Sequence, residues 1–599
     1  MSKKCFSKRN LLFNLHRVLK VEQLTKNDIY NDHDDELFDL IIDTAEKIGR
    51  DSLTPILQAM DQEPPVLAGD RVKVHPQVRE LMTEWGAGGW IAANASYEAG
   101  GQQLPDVVNA ACSFIFAAHN YSASVYPMLT RGAAHLITEF GSEELKTNYV
   151  PKMFAGQWQG TMALTEPQAG SSLADITTHA EPTGKNYYKL RGQKIFISAG
   201  DHDGVDNIVH LMLARIKGAP DGVKGISLFV VPKNRVQEDG SLVFNDVNTA
   251  GVYHKMGYKG CPITQLSLGE EGDCRGYLVG EPNKGLFYMF QMMNEARVEV
   301  GIGAASIASA AYYASLEYAE ERPQGRNLAS KDPRQAPVMI IEHPDVKRML
   351  LFQRAVVEGA LSLLLQCAQY ADLKKVAEPA EREKFSGLLD LLTPVAKSYP
   401  SEMGIMSVSQ GLQILGGYGY CDEFPLEQHY RDIRIHPIHE GTTGIQGLDL
   451  LGRKVVINGG QNLIFYQGEV QKVIDACSQH SELEPYAQKL SDIIADLISL
   501  TRHLVLIKDR PEYFLADATL YLELFGIIAV AWQWLQQGLE AWKALKADPN
   551  KSDAQFYEGK IVTMKYFFHY ELPKTKGLFE RLQERDGLTV KIGQAVFMD

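Results

Sequence analysis

The chain has 599 residues, of which 45% are hydrophobic, and it carries a net charge of −14 at pH 7. This length is more than one hydrophobic core can hold, so we expect several folded domains. The acidic balance argues against a protein that binds nucleic acid through a basic surface. The seven cysteines are scattered without a Cys-x-x-Cys pair, which predicts neither a zinc site nor a disulfide framework and fits a cytoplasmic protein.

The N-terminal segment gives the first pattern along the chain. Residues 1–9 are basic but lack the apolar core and cleavage site of a signal peptide. Residues 11–19 have the apolar spacing of a short amphipathic helix, which leaves a membrane-surface role open as an alternative. We find no apolar run long enough to cross a bilayer, so we expect no transmembrane segment.

Residues 1–160 are predicted to form a helical domain. Residues 35–48 have helical apolar spacing, and two consecutive prolines, Pro64 and Pro65, then break the chain. Residues 97–105 combine two glycines with a proline and are predicted to form a turn. Residues 107–137 follow as two helices rich in small side chains.

Residues 161–278 have the pattern of a β-domain. A short apolar stretch begins at Thr161 and leads into a polar loop that contains Gly170 and Ser171. Residues 187–200 suggest a hairpin, and two further apolar runs suggest buried strands. A glycine-containing turn exposes backbone N–H groups, and hydroxyl groups beside it complete an anion site. The plainer interpretation of the loop is an ordinary β-turn.

Residues 279–455 are again predicted to be helical, and the absence of strand patterns there favours a four-helix bundle. The run that begins at Gly301 nearly spells the dinucleotide-binding pattern Gly-x-Gly-x-x-Gly. Helical spacing continues on both sides of it, so the small residues favour close helix packing instead. Residues 456–599 are predicted to form a helical extension, in which we find no chemical motif.

One carboxylate, Glu440, stands between an apolar segment and the small-residue run Gly441-Thr442-Thr443. Apolar surroundings raise the pKa of a carboxylate and make it a stronger base. Gly441 lets another molecule approach the backbone closely. The plainer interpretation is a helix start that is capped by one of the two threonines.

The segment from His439 to Gln446 resembles the catalytic segment of the acyl-CoA dehydrogenase family, whose pattern is Tyr/His-Glu-Gly-Thr-x-x-Ile-Gln. Further motifs of that family occur in the same order: Leu-Thr-Glu-Pro-x-Ala-Gly-Ser at 164–171, an arginine turn at Arg322, and Gln-x-x-Gly-Gly at 413–417. Four separated motifs in order are more specific than any one of them. The resemblance covers about residues 35–455.

The resemblance implies a mostly α fold with a middle β-domain. The expected parts are an α-helical N-terminal domain (1–160), a β-barrel or β-sandwich insert (161–278), a four-helix bundle with the catalytic base (279–455) and the helical extension (456–599). The N-terminal segment and the extension resemble a long-form subgroup that includes a 3-methylmercaptopropionyl-CoA dehydrogenase. That likeness points to 3-methylthiopropionyl-CoA, or to a short- or medium-chain acyl-CoA, as substrate.

The resemblance also implies a reaction. Glu440 would remove the α-proton of an acyl-CoA thioester while the β-hydride passes to N5 of FAD, which gives the trans-2-enoyl-CoA. The thioester carbonyl would be polarised by the Glu440 backbone N–H and a flavin ribityl hydroxyl. Electrons would then pass to an electron-transfer flavoprotein, and the enzyme would be a homodimer whose FAD site is shared across subunits.

Roles of further residues follow from the family pattern alone. The residues implied to contact FAD are Leu164, Thr165, Ser171, Phe196, Ser198, Arg322, Gln413, Gly416, Gly417 and Thr442. The residues implied to contact the acyl-CoA are Ser171, Asn294, Arg297 and Gly441. Arg326 is an alternative to Arg322, and Phe196 stands where many members have tryptophan, so shielding of the flavin is expected to differ.

Three other functions were weighed against this prediction. An acyl-CoA oxidase, which reoxidises its flavin with O2, uses the same motifs. A non-catalytic family member could act as a binding module, although Glu440 is present. A di-iron bundle needs Glu-x-x-His pairs, and none of the sixteen histidines has a glutamate three residues before it, so we expect no metal.

Overall fold

The structure is a computed structural model that describes residues 4–329, 332 and 334–598. The chain divides into two compact units. We call residues 1–40, 105–114 and 297–599 the bundle unit, and residues 41–104 and 115–296 the sheet unit. The fold is mostly helical with one main sheet in the middle of the chain and helices after it, which confirms the predicted fold class. The predicted domain boundaries stay predictions.

Most of the first 157 residues lie in helices that precede the main sheet. In the described part of the chain they are Lys8–Leu12 (α1), Asp35–Ile48 (α2), Leu57–Gln62 (α3), Gln77–Ala87 (α4), Asp106–Phe140 (α5) and Glu143–Phe154 (α6). Ser142 caps α6 by accepting a hydrogen bond from the Leu145 N–H. One feature was not predicted, a short hairpin of strands Val66–Ala68 (β1) and Arg71–Lys73 (β2).

The sheet unit is organised around an eight-stranded sheet. Its strands, together with a separate short hairpin (β8 and β9), are Trp158–Ala163 (β3), His179–Pro182 (β4), Tyr188–Ser198 (β5), Asn207–Ile216 (β6), Ile226–Pro232 (β7), Asn234–Val236 (β8), Leu242–Phe244 (β9), Val247–Val252 (β10), Ile263–Leu268 (β11) and Arg275–Val279 (β12). The order is β10-β11-β5-β12-β7-β6-β3, with β4 paired to β5 and β6. The β3–β6 and β4–β6 pairs are parallel, and the other pairs are antiparallel.

The predicted hairpin at 187–200 is wrong, because these residues form one long strand, β5. A Cβ on Gly192, which lies within β5, would be 2.4 Å from Thr178 Oγ1. The glycine therefore permits a close approach of the neighbouring chain within the sheet. The apolar runs of β6 and β7 are buried as predicted, and they enclose a core that includes Met212 and Phe229.

Three long helices, Gly285–Glu321 (α7), Pro344–Val376 (α8) and Pro379–Leu415 (α9), follow the sheet. Within the bundle unit, α8 and α9 pack along each other. A Cβ on Gly301 would lie 2.1 Å from the carbonyl oxygen of Ala396 on α9. This confirms that the small-residue run serves close helix packing. Two short helices, Leu426–Ile433 (α10) and Thr443–Asp449 (α11), end this part of the chain.

The helical extension packs on the bundle. Its helices are Gln461–Ser478 (α12), Glu484–Val505 (α13), Pro511–Phe514 (α14), Ala518–Lys546 (α15), Lys551–Tyr566 (α16), Thr575–Glu584 (α17) and Leu588–Lys591 (α18). Helix α15 contacts α8, α9 and α11. Trp534 Nε1 of α15 donates to the carbonyl of Ala355 on α8 at 2.9 Å. The extension therefore covers the helices that support Glu440.

Two segments of the described chain, Pro344–Val376 and Pro511–Lys546, are long and apolar enough to cross a membrane. Neither segment was predicted from the sequence. In their most apolar stretches, 89% and 67% of the residues are buried inside the fold. Core helices of a folded domain show the same property, and these segments contact other helices of the bundle unit.

Candidate active site

Glu440 lies in a strained turn between α10 and α11. Its φ is +52° and that of Gly441 is +88°, so both residues have left-handed backbone conformations. Glutamate rarely adopts this conformation, whereas glycine does so readily. A Cβ on Gly441 would also lie 2.6 Å from Gln446 Nε2. Glycine is therefore required at 441, and strain of this kind is typical of functional sites.

The carbonyls of the turn are held from inside the bundle unit. Gln446 Nε2 donates to the Glu440 carbonyl at 3.1 Å, and Lys397 Nζ donates to the Gly441 carbonyl at 2.9 Å. Thr442 caps α11 by accepting a hydrogen bond from the Ile445 N–H, which confirms the predicted cap. Among the described residues, the Glu440 N–H has no acceptor, so it is available to a ligand oxygen.

Burial raises the pKa of the Glu440 carboxyl group, while the nearby charges of Arg297 and Lys397 act to lower it. Two histidines lie just before it. Burial lowers the pKa of His436 to about 3 and that of His439 well below its usual value, so both rings are neutral near pH 7. The environment of Glu440 therefore combines low polarity with two nearby cations.

Lys397 was not predicted. It is fully buried on α9, between the two helix-interior prolines Pro394 and Pro400. Burial lowers the pKa of its ammonium group to about 8, although the charges of Glu440 and Glu402 oppose this shift. A lone lysine inside an apolar helical stretch was the signal that the sequence offered.

Arg297 and Asn294 lie one turn apart on α7. Arg297 is 3% exposed and pairs with Asp449 of α11 at 3.1 Å. Asn294 is half-buried. The structure therefore uses the Arg297 guanidinium inside the bundle unit, and its contact with a CoA moiety stays a prediction, as does that of Asn294.

In the sheet unit, the loop at 164–172 is fastened to β5. The Thr165 carbonyl accepts a hydrogen bond from the Ile195 N–H at 2.9 Å, and the Leu164 carbonyl accepts one from Lys194 Nζ at 2.9 Å. Both Leu164 and Thr165 are half-buried, and Ser171 is exposed at the end of the loop. The loop thus presents an apolar edge and a hydroxyl group from a rigid base.

Glu166 and Lys194 form a buried ion pair under this loop, with Nζ and Oε1 2.8 Å apart. Glu166 also accepts hydrogen bonds from the N–H groups of Thr177 (2.7 Å) and Thr178 (3.1 Å). Burial alone would raise the pKa of Glu166, but Lys194 and these hydrogen bonds lower it to about 2. Glu166 belongs to the motif at 164–171, whereas Lys194 was not predicted.

Phe196 and Ser198 lie near the end of β5. Phe196 has φ +56° and lies at an irregularity in the pairing of β5 with β11. Phe196 is 58% exposed, and its ring stacks on Tyr253, with ring centroids 4.6 Å apart. An irregularity of this kind re-aims a side chain. The exposed aromatic face, the half-buried Ser198 and the loop fit a planar cofactor with a charged tail, such as FAD.

A second group of predicted cofactor residues lies at the surface of the bundle unit. Gln413, Gly416 and Gly417 are exposed at the end of α9. The Arg322 guanidinium lies 6.0 Å from the ring centroid of Tyr418, in the 3-10 helix Gly416–Tyr420. The structure therefore brings Arg322 close to Tyr418 of the 3-10 helix that begins with the two glycines. Arg326 donates to the Gln335 carbonyl instead, and the cofactor roles of all these residues stay predictions.

Three potential metal ligands, His16, Glu22 and Asp35, have ligand atoms within 4.8 Å of one another. His16 already contacts Asp39 at 2.8 Å, and Asp35 is exposed. Solvated ionic contacts account for this group, and we assign no metal to it.

Comparison with known protein families gives four matches along the chain. The models described as the N-terminal, middle and C-terminal domains of acyl-CoA dehydrogenase match residues 36–157, 161–270 and 283–455. A model described as "Acetyl-CoA dehydrogenase C-terminal like" matches residues 466–592.

Individual proteins resemble the chain over nearly its full length. A 3-methylmercaptopropionyl-CoA dehydrogenase of Ruegeria pomeroyi is 36% identical and covers 90% of this chain and 91% of its own. A butyryl-CoA dehydrogenase of Syntrophomonas wolfei is 32% identical and covers 99% of both. A solved structure, an acyl-CoA dehydrogenase of Bacillus anthracis complexed with FAD, shares the fold with a TM-score of 0.73 at 21% identity over 96% of this chain and 92% of that one.

These observations define a flavin-dependent oxidoreductase fold. The chain belongs to the acyl-CoA dehydrogenase family, whose cofactor is FAD, as its motifs predicted.

Proposed function

We propose that the protein converts a saturated acyl-CoA thioester to the trans-2-enoyl-CoA. One observation carries the proposal. A carboxylate with a raised pKa, Glu440, stands in a strained turn beside its own unbonded N–H. A base and an oxyanion donor on one residue suit the removal of a proton next to a carbonyl group.

The chain's own residues would act as follows. The thioester oxygen would accept a hydrogen bond from the Glu440 N–H, which acidifies the α-carbon. The Glu440 carboxylate would then take the α-proton. Bound FAD supplies the oxidant that accepts the β-hydrogen with its electron pair. Leu164, Thr165 and Ser198 would hold the ring system.

The remaining predicted contacts complete the proposal. The anionic parts of FAD would be held by Ser171, Arg322, Gln413, Gly416, Gly417 and Thr442. The acyl-CoA would be contacted by Ser171, Asn294, Arg297 and Gly441. The exposure of Arg322 and the two glycines suits contact with FAD of a second subunit, so we propose a homodimer. We also propose that the protein is cytoplasmic.

For the substrate we propose 3-methylthiopropionyl-CoA or a short- or medium-chain fatty acyl-CoA. Support comes from the full-length similarity to relatives that are named for such acyl groups. We propose an electron-transfer flavoprotein as the electron acceptor, since the resemblance implies one.

The test is the visible spectrum of the FAD-loaded protein under anaerobic titration with butyryl-, octanoyl- and 3-methylthiopropionyl-CoA. We expect one of these thioesters to bleach the flavin band. Failure of all three would contradict the proposed substrate range, and failure to bind FAD would contradict the cofactor sites. E427Q is a matched control for E440Q, because Glu427 pairs with Arg431 on α10. The flavin of E427Q should bleach as in wild type.

The oxidase alternative is separated by the reaction of the reduced enzyme with air. A dehydrogenase is expected to reoxidise slowly in air and rapidly with an electron-transfer flavoprotein. Rapid reoxidation by O2 would favour the oxidase. Failure of E440Q to change turnover would revive the alternative of a non-catalytic family member that acts as a binding module.

A further inference from the structure

Lys397 is a buried cation whose hydrogen bond reaches the catalytic turn from a helix 44 residues away in sequence. We propose that Lys397 is a positioning residue for α-proton removal. Lys397 fixes the Glu440–Gly441 turn and holds the Glu440 carboxylate in its anionic form. This inference rests on the proposed role of Glu440 as the base. No motif of the sequence assigns a function to Lys397.

The hydrogen bond explains how the turn keeps its conformation. Lys397 Nζ and the Gly441 carbonyl oxygen are 2.9 Å apart, and Gln446 Nε2 lies 3.4 Å from the same oxygen. Both donors lie on the inner side of the turn, so the carbonyl points into the bundle unit. The Lys397 side chain is fully buried, which restricts its movement and suits it to fix a strained backbone.

In the described part of the chain, the Lys397 ammonium group forms no contact ion pair. Among the described residues, no carboxylate oxygen lies within 4.0 Å of its Nζ. Other buried cations of the chain are paired directly: Lys194 with Glu166 and Lys560 with Glu358, both at 2.8 Å. The Lys397 charge therefore acts through space on Glu440 and Glu402.

Of the other charged groups around Lys397, Arg297 also acts to lower the pKa of Glu440. Arg297 of α7 is held by Asp449 of α11 at 3.1 Å. Glu402 of α9 accepts the Thr443 hydroxyl. His436 and His439, before the turn, are kept neutral by burial. Lys397 is thus a cation whose hydrogen bond and charge both bear on the turn.

The sign of the effect follows from electrostatics. A positive charge favours the carboxylate form of Glu440, so it lowers the pKa of Glu440 and opposes the effect of burial. Removal of the charge raises the pKa of Glu440. Since the reaction needs the carboxylate, the rate of the variant should begin to rise only at higher pH than that of wild type.

The test uses the FAD-loaded protein and three variants of one position. K397M removes donor and charge, K397Q keeps an N–H donor without charge, and K397R keeps both. The carboxyl group of Glu440 is titrated by infrared difference spectroscopy, with E440Q to assign the band. The pH profile of anaerobic flavin bleaching by the acyl-CoA that reduces wild type is the second readout.

We expect the Glu440 titration and the acid limb of the pH profile to move up by about one pH unit in K397M and K397Q. K397R should stay close to wild type. K560M is the control, because Lys560 is equally buried in α16, and burial lowers its pKa to about 8 as well. It should lower the melting temperature without moving either titration.

An unmoved Glu440 titration in folded, FAD-containing K397M and K397Q would overturn the inference. If K397M does not fold, K397Q against K397R decides. The infrared titration needs no substrate, so it tests the role of Lys397 even if no acyl-CoA bleaches the flavin of wild type. In that case the proposed function fails, while a shifted titration still shows that Lys397 sets the charge state of Glu440.

Discussion

Lys194 in the sheet unit and Lys397 in the bundle unit each donate a 2.9 Å hydrogen bond to a loop carbonyl, of Leu164 and Gly441 respectively. Both lysines are fully buried, and burial lowers the pKa of each to about 8. The two lysines differ in how they interact with a neighbouring carboxylate. Lys194 contacts Glu166 directly, whereas the Lys397 charge reaches Glu440 only through space.

The difference shows how one residue type serves two purposes. A buried pair in contact neutralises its own charges and leaves a rigid base for a loop. A buried cation without a contact partner leaves part of its field for a neighbouring group. The first arrangement would suit the proposed role of the 164–172 loop in holding FAD, and the second would suit the proposed role of Glu440 as a base.

The largest expected effect is on the paired site. K194M leaves Glu166 buried without its cation, and breaking a buried pair in this way costs about 3–5 kcal/mol. We expect a large fall in melting temperature and loss of FAD, measured by thermal unfolding and by the flavin content after gel filtration.

The control for K194M lies on the same sheet. Lys217 pairs with Glu181 at 2.8 Å, but both side chains are exposed. K217M should therefore change the melting temperature little and leave FAD bound. Equal effects of K194M and K217M would show that burial of the Glu166–Lys194 pair does not matter.

The next effect concerns the backbone of the Glu440–Gly441 turn. G441A places a Cβ in a left-handed conformation and against Gln446 Nε2, which costs on the order of 1–2 kcal/mol. We expect kcat to fall about tenfold, because strain of this size displaces Glu440 from its position in the transition state.

G444A is the matched control for G441A. A Cβ on Gly444 would make only an ordinary contact, 3.7 Å from Thr442 Oγ1. Residue 444 also lies inside α11, where alanine is favoured. G444A should keep kcat near the wild-type value, and an equal loss in both variants would contradict the strained-turn explanation.

The smallest effect concerns the cap of α11. T442A removes the acceptor of the Ile445 N–H, and loss of such a cap costs about 1 kcal/mol. T442S keeps the hydroxyl group and should keep the stability. A fall in FAD affinity in T442A larger than its fall in stability would support the predicted cofactor contact.

The parts that could be predicted from sequence are those set by local pattern. The Glu440 segment, the helix cap at Thr442 and the helical interpretation of Gly301 depend on neighbouring residues, and the structure confirms the last two. The succession of helical and β regions followed from periodicity.

What could not be predicted depends on contacts between distant residues. The Lys397 bond to Gly441 and the Lys194 bond to Leu164 join positions 44 and 30 residues apart. The hairpin predicted at 187–200 was wrong because the strands that pair with β5, and the Thr178 side chain that packs against Gly192, lie on other parts of the chain. A single sequence shows the residue type at such positions but not the neighbour that explains it.

The central claim is that Glu440 removes the α-proton. The most direct test is the anaerobic rate of flavin bleaching in wild type and E440Q, both loaded with FAD and mixed rapidly with the same acyl-CoA. Loss of a general base predicts that E440Q binds the thioester but bleaches roughly 10²–10⁴-fold more slowly. Equal bleaching rates in the two proteins would contradict the account.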